Sequence, residues 1–193
     1  MRIRKGVAAL LTLLLLLVGV FCAAKAVRFF YQRAYPLEYE QTVRSASEEQ
    51  SLAPSFVFAV IRTESSFRPD VESSVGARGL MQITEETFQW IQYRMKEESG
   101  ASFDDLFDGE TNIRYGTFLL RMLLDEFGSE ANALCAYHAG WGNAQKWLEN
   151  PEYAPDGKNI TKIPFGDTKR YVEKVLDTKK MYEKLYDFSA SRP

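Results

Sequence analysis

Histidine and cysteine are almost absent from this chain, and strand-like alternation of apolar and polar residues is missing altogether. In 193 residues the only histidine is His138 and the only cysteines are Cys22 and Cys135. One histidine and one cysteine in the folded part cannot assemble an ordinary zinc site. No disulfide can form within that part either, because Cys22 lies in an apolar N-terminal stretch. No alternating run is long enough for a sheet, and no segment repeats. Acidic residues are missing from positions 1–34, which hold six Lys and Arg. The overall formal charge of −2 therefore divides unevenly, leaving 18 basic against 26 acidic residues beyond position 34, or −8. A domain of that sign has no reason to favour nucleic acid.

Charge of either sign is absent from "VAALLTLLLLLVGVFCAA", the eighteen residues from Val7 to Ala24. At about 1.5 Å per residue this stretch covers roughly 27 Å as a helix, close to the thickness of a bilayer's hydrocarbon. No soluble helix needs an apolar surface on every side, so residues 7–24 are expected to be a transmembrane signal anchor. A signal peptide cleaved near Cys22 and Ala24 is the rival reading, and lipidation of Cys22 a weaker one, since Gly19, Val20 and Phe21 approach it poorly. Arg2, Arg4 and Lys5 precede the stretch, which should hold the short tip in the cytoplasm and place the rest outside. About a dozen residues then separate Ala24 from the first expected domain helix near Leu37. The expected organisation is a tip, anchor and short linker over 1–34 and one domain over 35–193. A composition of 46% hydrophobic and 13% aromatic residues suffices for one ordinary core.

Beyond the anchor the periodicity is helical almost throughout. Tyr39, Val43 and Ala46 share a face, as do Phe56, Val57, Val60 and Ile61 after Pro54, a residue suited to a first helical turn. Phe88, Ile91 and Met95 follow Thr84, and a long run through Ile113, Gly116, Leu120, Leu123 and Phe127 closes at Gly128, in the position of a C-terminal cap. A further helix is expected over about 130–139 and a last one over about 167–186. The stretch "NPEYAPDGKNITKIPFG" between them reads as an excursion rather than a domain boundary.

Glu64 lies seven residues after Val57, four after Val60 and three after Ile61, so it continues their stripe. A carboxylate on an apolar face is costly unless it is paired or protonated. Two readings follow. It is either half of a core ion pair with an arginine such as Arg78, or a general acid whose pKa is raised by apolar walls.

The residues after Glu64 form a pattern of their own. In "ESSFRPDVESSVGARGLMQ" the glutamate is followed by Ser65, Phe67, Pro69, Ser73, Gly76, Ala77, Gly79, Leu80, Met81 and Gln82. This string resembles that of the lytic transglycosylases of the soluble-lytic-transglycosylase type, which share a goose-type-lysozyme-like fold and cleave peptidoglycan. "AYHAGWGNAQKWL", from Ala136 to Leu148, is similar to the family's Ala-Tyr-Asn-Ala-Gly-x-Gly-x-Val segment, and "TKRYVEKVL", from Thr168 to Leu176, to its tyrosine-bearing last helix. The resemblance covers about Tyr35 to Tyr186. It departs at His138, where the family usually has Asn, at Ala144, which replaces a larger aliphatic residue, and at Thr84, where methionine is common.

The resemblance implies a mainly α, lysozyme-like (α+β, predominantly helical) domain acting on peptidoglycan glycan strands without a cofactor or metal. Glu64 would be the single acid/base, protonating the oxygen between N-acetylmuramic acid and N-acetylglucosamine and then taking the proton of the muramic C6 hydroxyl. Ser73 would hydrogen-bond the substrate's N-acetyl group, and Gln82, Tyr137, His138 and Tyr171 would line the sugar subsites. A water-using muramidase and a glycan-binding scaffold without turnover are the alternatives. Taken alone, Ser73 also fits a plain turn residue and Tyr171 a core tyrosine. Cys135 and His138, three residues apart, raise a Cys–His peptidase as a remote possibility, although no third group is evident to orient the imidazole. Membrane attachment would run through the N-terminal helix, and no protein partner is indicated.

Overall fold

A computed structural model describes residues 2–96 and 100–188 of the chain. Among these residues the order is α1 (Arg2–Ala34), α2 (Glu40–Glu49), α3 (Pro54–Glu64), α4 (Glu85–Met95), a 3₁₀ turn (Phe103–Phe107), α5 (Gly109–Phe127), α6 (Glu130–Ala139), α7 (Trp141–Glu149) and α8 (Gly166–Leu185). The chain divides into two units between Pro36 and Leu37.

The first unit is the helix α1. Its segment Leu10–Ala34 is long and apolar enough to cross a membrane, with a mean hydropathy of 2.5. The helix runs on beyond the expected limit at Ala24, because Lys25, Arg28 and Arg33 carry charge without breaking helical geometry and no proline intervenes before Pro36.

In the second unit α3 is the central element. It starts on Pro54, and every side chain from Ser55 to Ile61 is buried, a helix enclosed on all sides. α8 packs along it, presenting Tyr171, Val172, Val175, Thr178, Tyr182 and Leu185 on one buried stripe. The Tyr182 ring stacks on Phe58 of α3 with centroids 5.3 Å apart. α5 is the long amphipathic helix read from the sequence, capped by the Asp108 carboxylate at Thr111 N–H and closed by Gly128 at φ 73°. The side chain of Thr84 caps α4 and that of Ser129 caps α6. Sheet structure among the described residues is confined to two single bridges, Glu72 with Arg78 and Arg78 with Ile83.

Two elements went unread in the sequence, the 3₁₀ turn and α7. Both are short, and α7 starts directly at Gly140, whose φ of 88° turns the chain with no intervening loop. The excursion after α7 is held by Asn132 of α6, whose amide donates to Phe127 O and Lys158 O while its oxygen accepts from Ile160 N–H. It belongs to the same unit as the helices.

Candidate active site

Glu64 is the last residue of α3, and the chain turns sharply after it. Ser65 is buried and its hydroxyl donates to Ile61 O and Leu80 O, tying the helix end to the loop sixteen residues beyond Glu64. Ser66 and Phe67 then adopt φ of 53° and 64°, conformations uncommon outside glycine. Burial of the Phe67 ring against Phe58 holds this strained turn in place.

The returning loop is pressed against α5. A Cβ on Gly79, at φ 75°, would lie 2.1 Å from Leu106 O, and a Cβ on Gly116 would lie 2.2 Å from the Met81 sulfur. Only glycine allows either approach. Asn112, fully buried on α5, donates to Arg78 O and Leu106 O and accepts from Met81 N–H. This asparagine was not singled out in the sequence. Its signal was a polar residue four before Gly116 on the buried face of an amphipathic helix.

Around Glu64 the structure gathers aromatic hydroxyls. Tyr171 Oη donates to Glu64 Oε1 at 2.6 Å, joining α3 to α8. The Tyr137 ring lies parallel to that of Tyr171, with centroids 6.5 Å apart and 8° between planes, and its hydroxyl donates to Met81 O. The His138 ring packs 4.5 Å from that of Tyr171, and its Nδ1 is 3.0 Å from the hydroxyl of buried Thr168. Thr168, which opens the buried stripe of α8, is a second residue that sequence reasoning did not single out.

Burial pushes the Glu64 carboxyl up to about 7, against the Tyr171 hydrogen bond and the positive charge of Lys174, which both favour the ionised form. Its place at the negative end of the α3 dipole acts in the same direction as burial. The hydroxyls of Tyr137 and Tyr171 are held well above the ordinary tyrosine range, first by burial and then by the nearby Glu64 charge, so both remain donors. Burial lowers the His138 imidazole, partly offset by Asp167, which favours the neutral ring near pH 7.

The ion pair with Arg78 is not formed. The Arg78 guanidinium instead binds Glu72 at 3.3 Å and Asp104 at 2.6 Å, and stacks over Phe103 at 4.2 Å. Cys135 and His138 do not pair either. The thiol is buried and pushed up to about 12 by desolvation, while the imidazole faces Thr168 and Tyr171. Among the described residues no group of three or more His, Cys, Asp or Glu is arranged to hold a metal.

Of the six residues singled out in advance, Glu64, Tyr137, His138 and Tyr171 stand together. Ser73 and Gln82 lie in the loop, outside the hydrogen bonds of that cluster. The Ser73 hydroxyl accepts from Ala77 N–H at 3.0 Å inside a turn, so its own proton is left to donate. Gln82, at φ 49°, folds its amide back onto Val71 O and Gly79 O, bracing the loop from within.

Residues 41–160, more than half of the chain, match the model of the family described as "Transglycosylase SLT domain". The chain is 33% identical over 147 residues to the soluble lytic murein transglycosylase of Escherichia coli K12, an alignment covering 75% of this chain and 23% of that protein. It is 30% identical over 168 residues to membrane-bound lytic murein transglycosylase C of Pectobacterium atrosepticum, covering 76% of this chain and 47% of the relative. The crystal structure of the 70 kDa soluble lytic transglycosylase of Escherichia coli superposes with a TM-score of 0.72 at 31% identity, covering 80% of this chain and 25% of that one. The chain thus spans between about a quarter and a half of the length of these proteins.

Proposed function

The chain belongs to the Transglycosylase SLT domain family, and from that premise and the surroundings of Glu64 we propose that it is a peptidoglycan lytic transglycosylase. It cleaves the β-1,4 bond between N-acetylmuramic acid and N-acetylglucosamine and leaves a 1,6-anhydromuramyl end. The observation that carries this reading is a single carboxyl, half-buried among aromatic rings, that shares its hydrogen bond with a tyrosine hydroxyl rather than a second carboxylate, in surroundings whose burial pushes its pKa up to about 7.

A carboxyl with that pKa is populated in both forms near neutrality, which suits a group that must first give a proton and then take one. Glu64 donates to the bridging oxygen as the bond to the muramyl C1 breaks. The ionised Glu64 then accepts the proton of the muramyl C6 hydroxyl while that oxygen bonds to C1. One proton leaves and one returns, so the residue ends as it began. Because the nucleophile is the substrate's own hydroxyl, no second catalytic carboxylate is needed, in contrast to two-carboxylate glycosidases. Tyr171 holds the carboxyl in place, and the free Ser73 proton is directed to the N-acetyl carbonyl. Tyr137, His138 and Gln82 border the sugars.

In this proposal α1 anchors the protein in a membrane, with residues 7–24 at the core of the span. Residues 35–193 act outside the cytoplasm as the catalytic domain. Continuous helix to Ala34 leaves only Tyr35 and Pro36 before the second unit begins, which favours action on glycan near the membrane surface. Cell fractionation tests the tether, and recovery of the protein mainly in the medium, starting near Lys25, would overturn it. Mass spectrometry of products released from purified peptidoglycan tests the activity. Anhydromuramyl ends are expected; reducing ends would mark a muramidase, and no release a binding protein.

A further inference from the structure

His138 is the only histidine of the chain and, beside Glu64, the one member of the cluster that titrates near neutrality. It stands in the last turn of α6, next to Tyr137, and is exposed, so its ring exchanges protons with water. Its inner contacts fall within a single turn of α8. Nδ1 lies 3.0 Å from the Thr168 hydroxyl, and the ring packs 4.5 Å from that of Tyr171, three residues further on. Tyr171 in turn donates to Glu64 Oε1 at 2.6 Å. Imidazole, tyrosine and carboxyl thus form one line of contact from α6 through α8 to α3, although no step of the proton transfer uses the imidazole.

Two titratable groups joined in this way take up protons as a pair. Partial burial holds the imidazole below its ordinary value, against the charge of Asp167 on α8 and the negative end of α6. Among the described residues α5 and α7, which also pack on α6, supply none of the charge that shifts it. Tyr137 and Tyr171 keep their protons, and the Lys174 charge on Glu64 is constant near neutrality. With Glu64 raised to about 7, a pair that holds one proton holds it on the carboxyl, where the bridging oxygen needs it. A second proton, taken up at lower pH, goes to the imidazole. The cation then lies against the Tyr171 ring and favours the ionised form of Glu64. A carboxylate stabilised in this way is a weaker base toward the C6 hydroxyl, so ring closure slows.

We propose that His138, held by Thr168 and packed against Tyr171, is a positioning residue for Glu64, whose neutral ring leaves the exchanged proton on the carboxyl and whose protonated ring slows turnover on the acid side. This rests on the reading that Glu64 is the single acid/base of a transglycosylase. Glu64 alone gives an alkaline limb only, because its protonated form starts the reaction. His138 adds the acid limb.

The test is the pH profile of anhydromuramyl release from peptidoglycan by the full chain in detergent micelles, for the wild type and His138→Asn, each scaled to its own maximum. Asparagine can still hydrogen-bond Thr168 but does not titrate. Between about pH 6.5 and about pH 5 the wild type should lose roughly threefold to tenfold and the variant less than about twofold. A single histidine also gives a readout that needs neither turnover nor the variant, the nuclear magnetic resonance titration of its ring. The imidazole signal should show a main step below about pH 6.5 and a smaller one near about pH 7 that Glu64→Gln removes. An acid limb kept by His138→Asn, a wild type without one, or an imidazole signal blind to Glu64→Gln would overturn the positioning role alone. Absence of anhydromuramyl ends at every pH would overturn the transglycosylase reading, and this role with it.

Discussion

Two charged side chains from one twenty-residue stretch, Glu64 and Arg78, meet opposite fates. Arg78 is surrounded: two carboxylates neutralise it and aromatic rings of the 3₁₀ turn stack on its guanidinium. Glu64 receives one neutral hydroxyl and apolar walls, with the positive charge of Lys174 favouring its ionised form. A charge that serves structure is met by partners that fix its position. A charge that serves proton transfer is left under-compensated, so that its two states lie close in free energy at working pH. The loop between them links the roles, because Arg78 clamps the segment that carries Ser73 and Gln82.

The sharpest way to break this comparison is Glu64→Gln, which keeps the shape of the side chain but removes its proton exchange. Activity should fall by about 10²-fold or more, the lower range for general acid–base catalysis, in a protein that still folds. Stability should move the other way. Because the folded-state pKa of Glu64 is raised from 4.5 to about 7, the folded protein binds more protons than the unfolded chain between those values, and the wild type loses stability as pH rises through that window. The variant escapes that loss, so melting curves should show it gaining on the wild type from about pH 4.5 to pH 7, with the advantage retained at higher pH. A parallel pH dependence of the two proteins would contradict the assigned environment.

Ser73→Ala should cost turnover roughly 1–2 kcal/mol, about one good hydrogen bond to substrate, and leave the pH profile in place. If it proved as inactive as Glu64→Gln, the division of roles would be wrong.

Tyr171→Phe removes a donor that favours the ionised carboxyl, so the pKa of Glu64 should rise further. Turnover should drop severalfold and the alkaline limb of the activity profile should move to higher pH. A shift to lower pH would mean that burial does not govern Glu64.

The smallest effect is expected for Arg78→Gln. Its carboxylate partners are both largely exposed, and loss of the pairs and stacking should lower stability by about 1 kcal/mol without moving the alkaline limb. Movement of that limb would couple the two charges that the comparison separates.

Local regularities account for what could be read in advance. The apolar spacing of α5, the helical run of α4 after Thr84 and the position of Glu64 on the buried stripe of α3 are each written within a few turns of chain. The string from Glu64 to Gln82 and the segment at Ala136 marked the family. What could not be read is which residues meet across the fold. Periodicity assigns a residue to a face but names no partner, so Arg78 was a reasonable guess for Glu64, whereas the bond is made by Tyr171, 107 residues away. Asn112 and Thr168 escaped notice for the same reason, since their work is done on loops and rings supplied by other elements. The conformation of Gln82 was equally hidden, since a left-handed backbone that no side-chain pattern records turns its amide into the loop.

The central claim, that one carboxyl passes a proton out and back while the substrate supplies its own nucleophile, is tested most directly by digesting peptidoglycan in water enriched in heavy oxygen and weighing the new muramyl ends. Ring closure predicts ends lighter than reducing ends by one water and free of heavy oxygen. Reducing ends carrying one heavy oxygen atom would show that water is the nucleophile and would contradict the account.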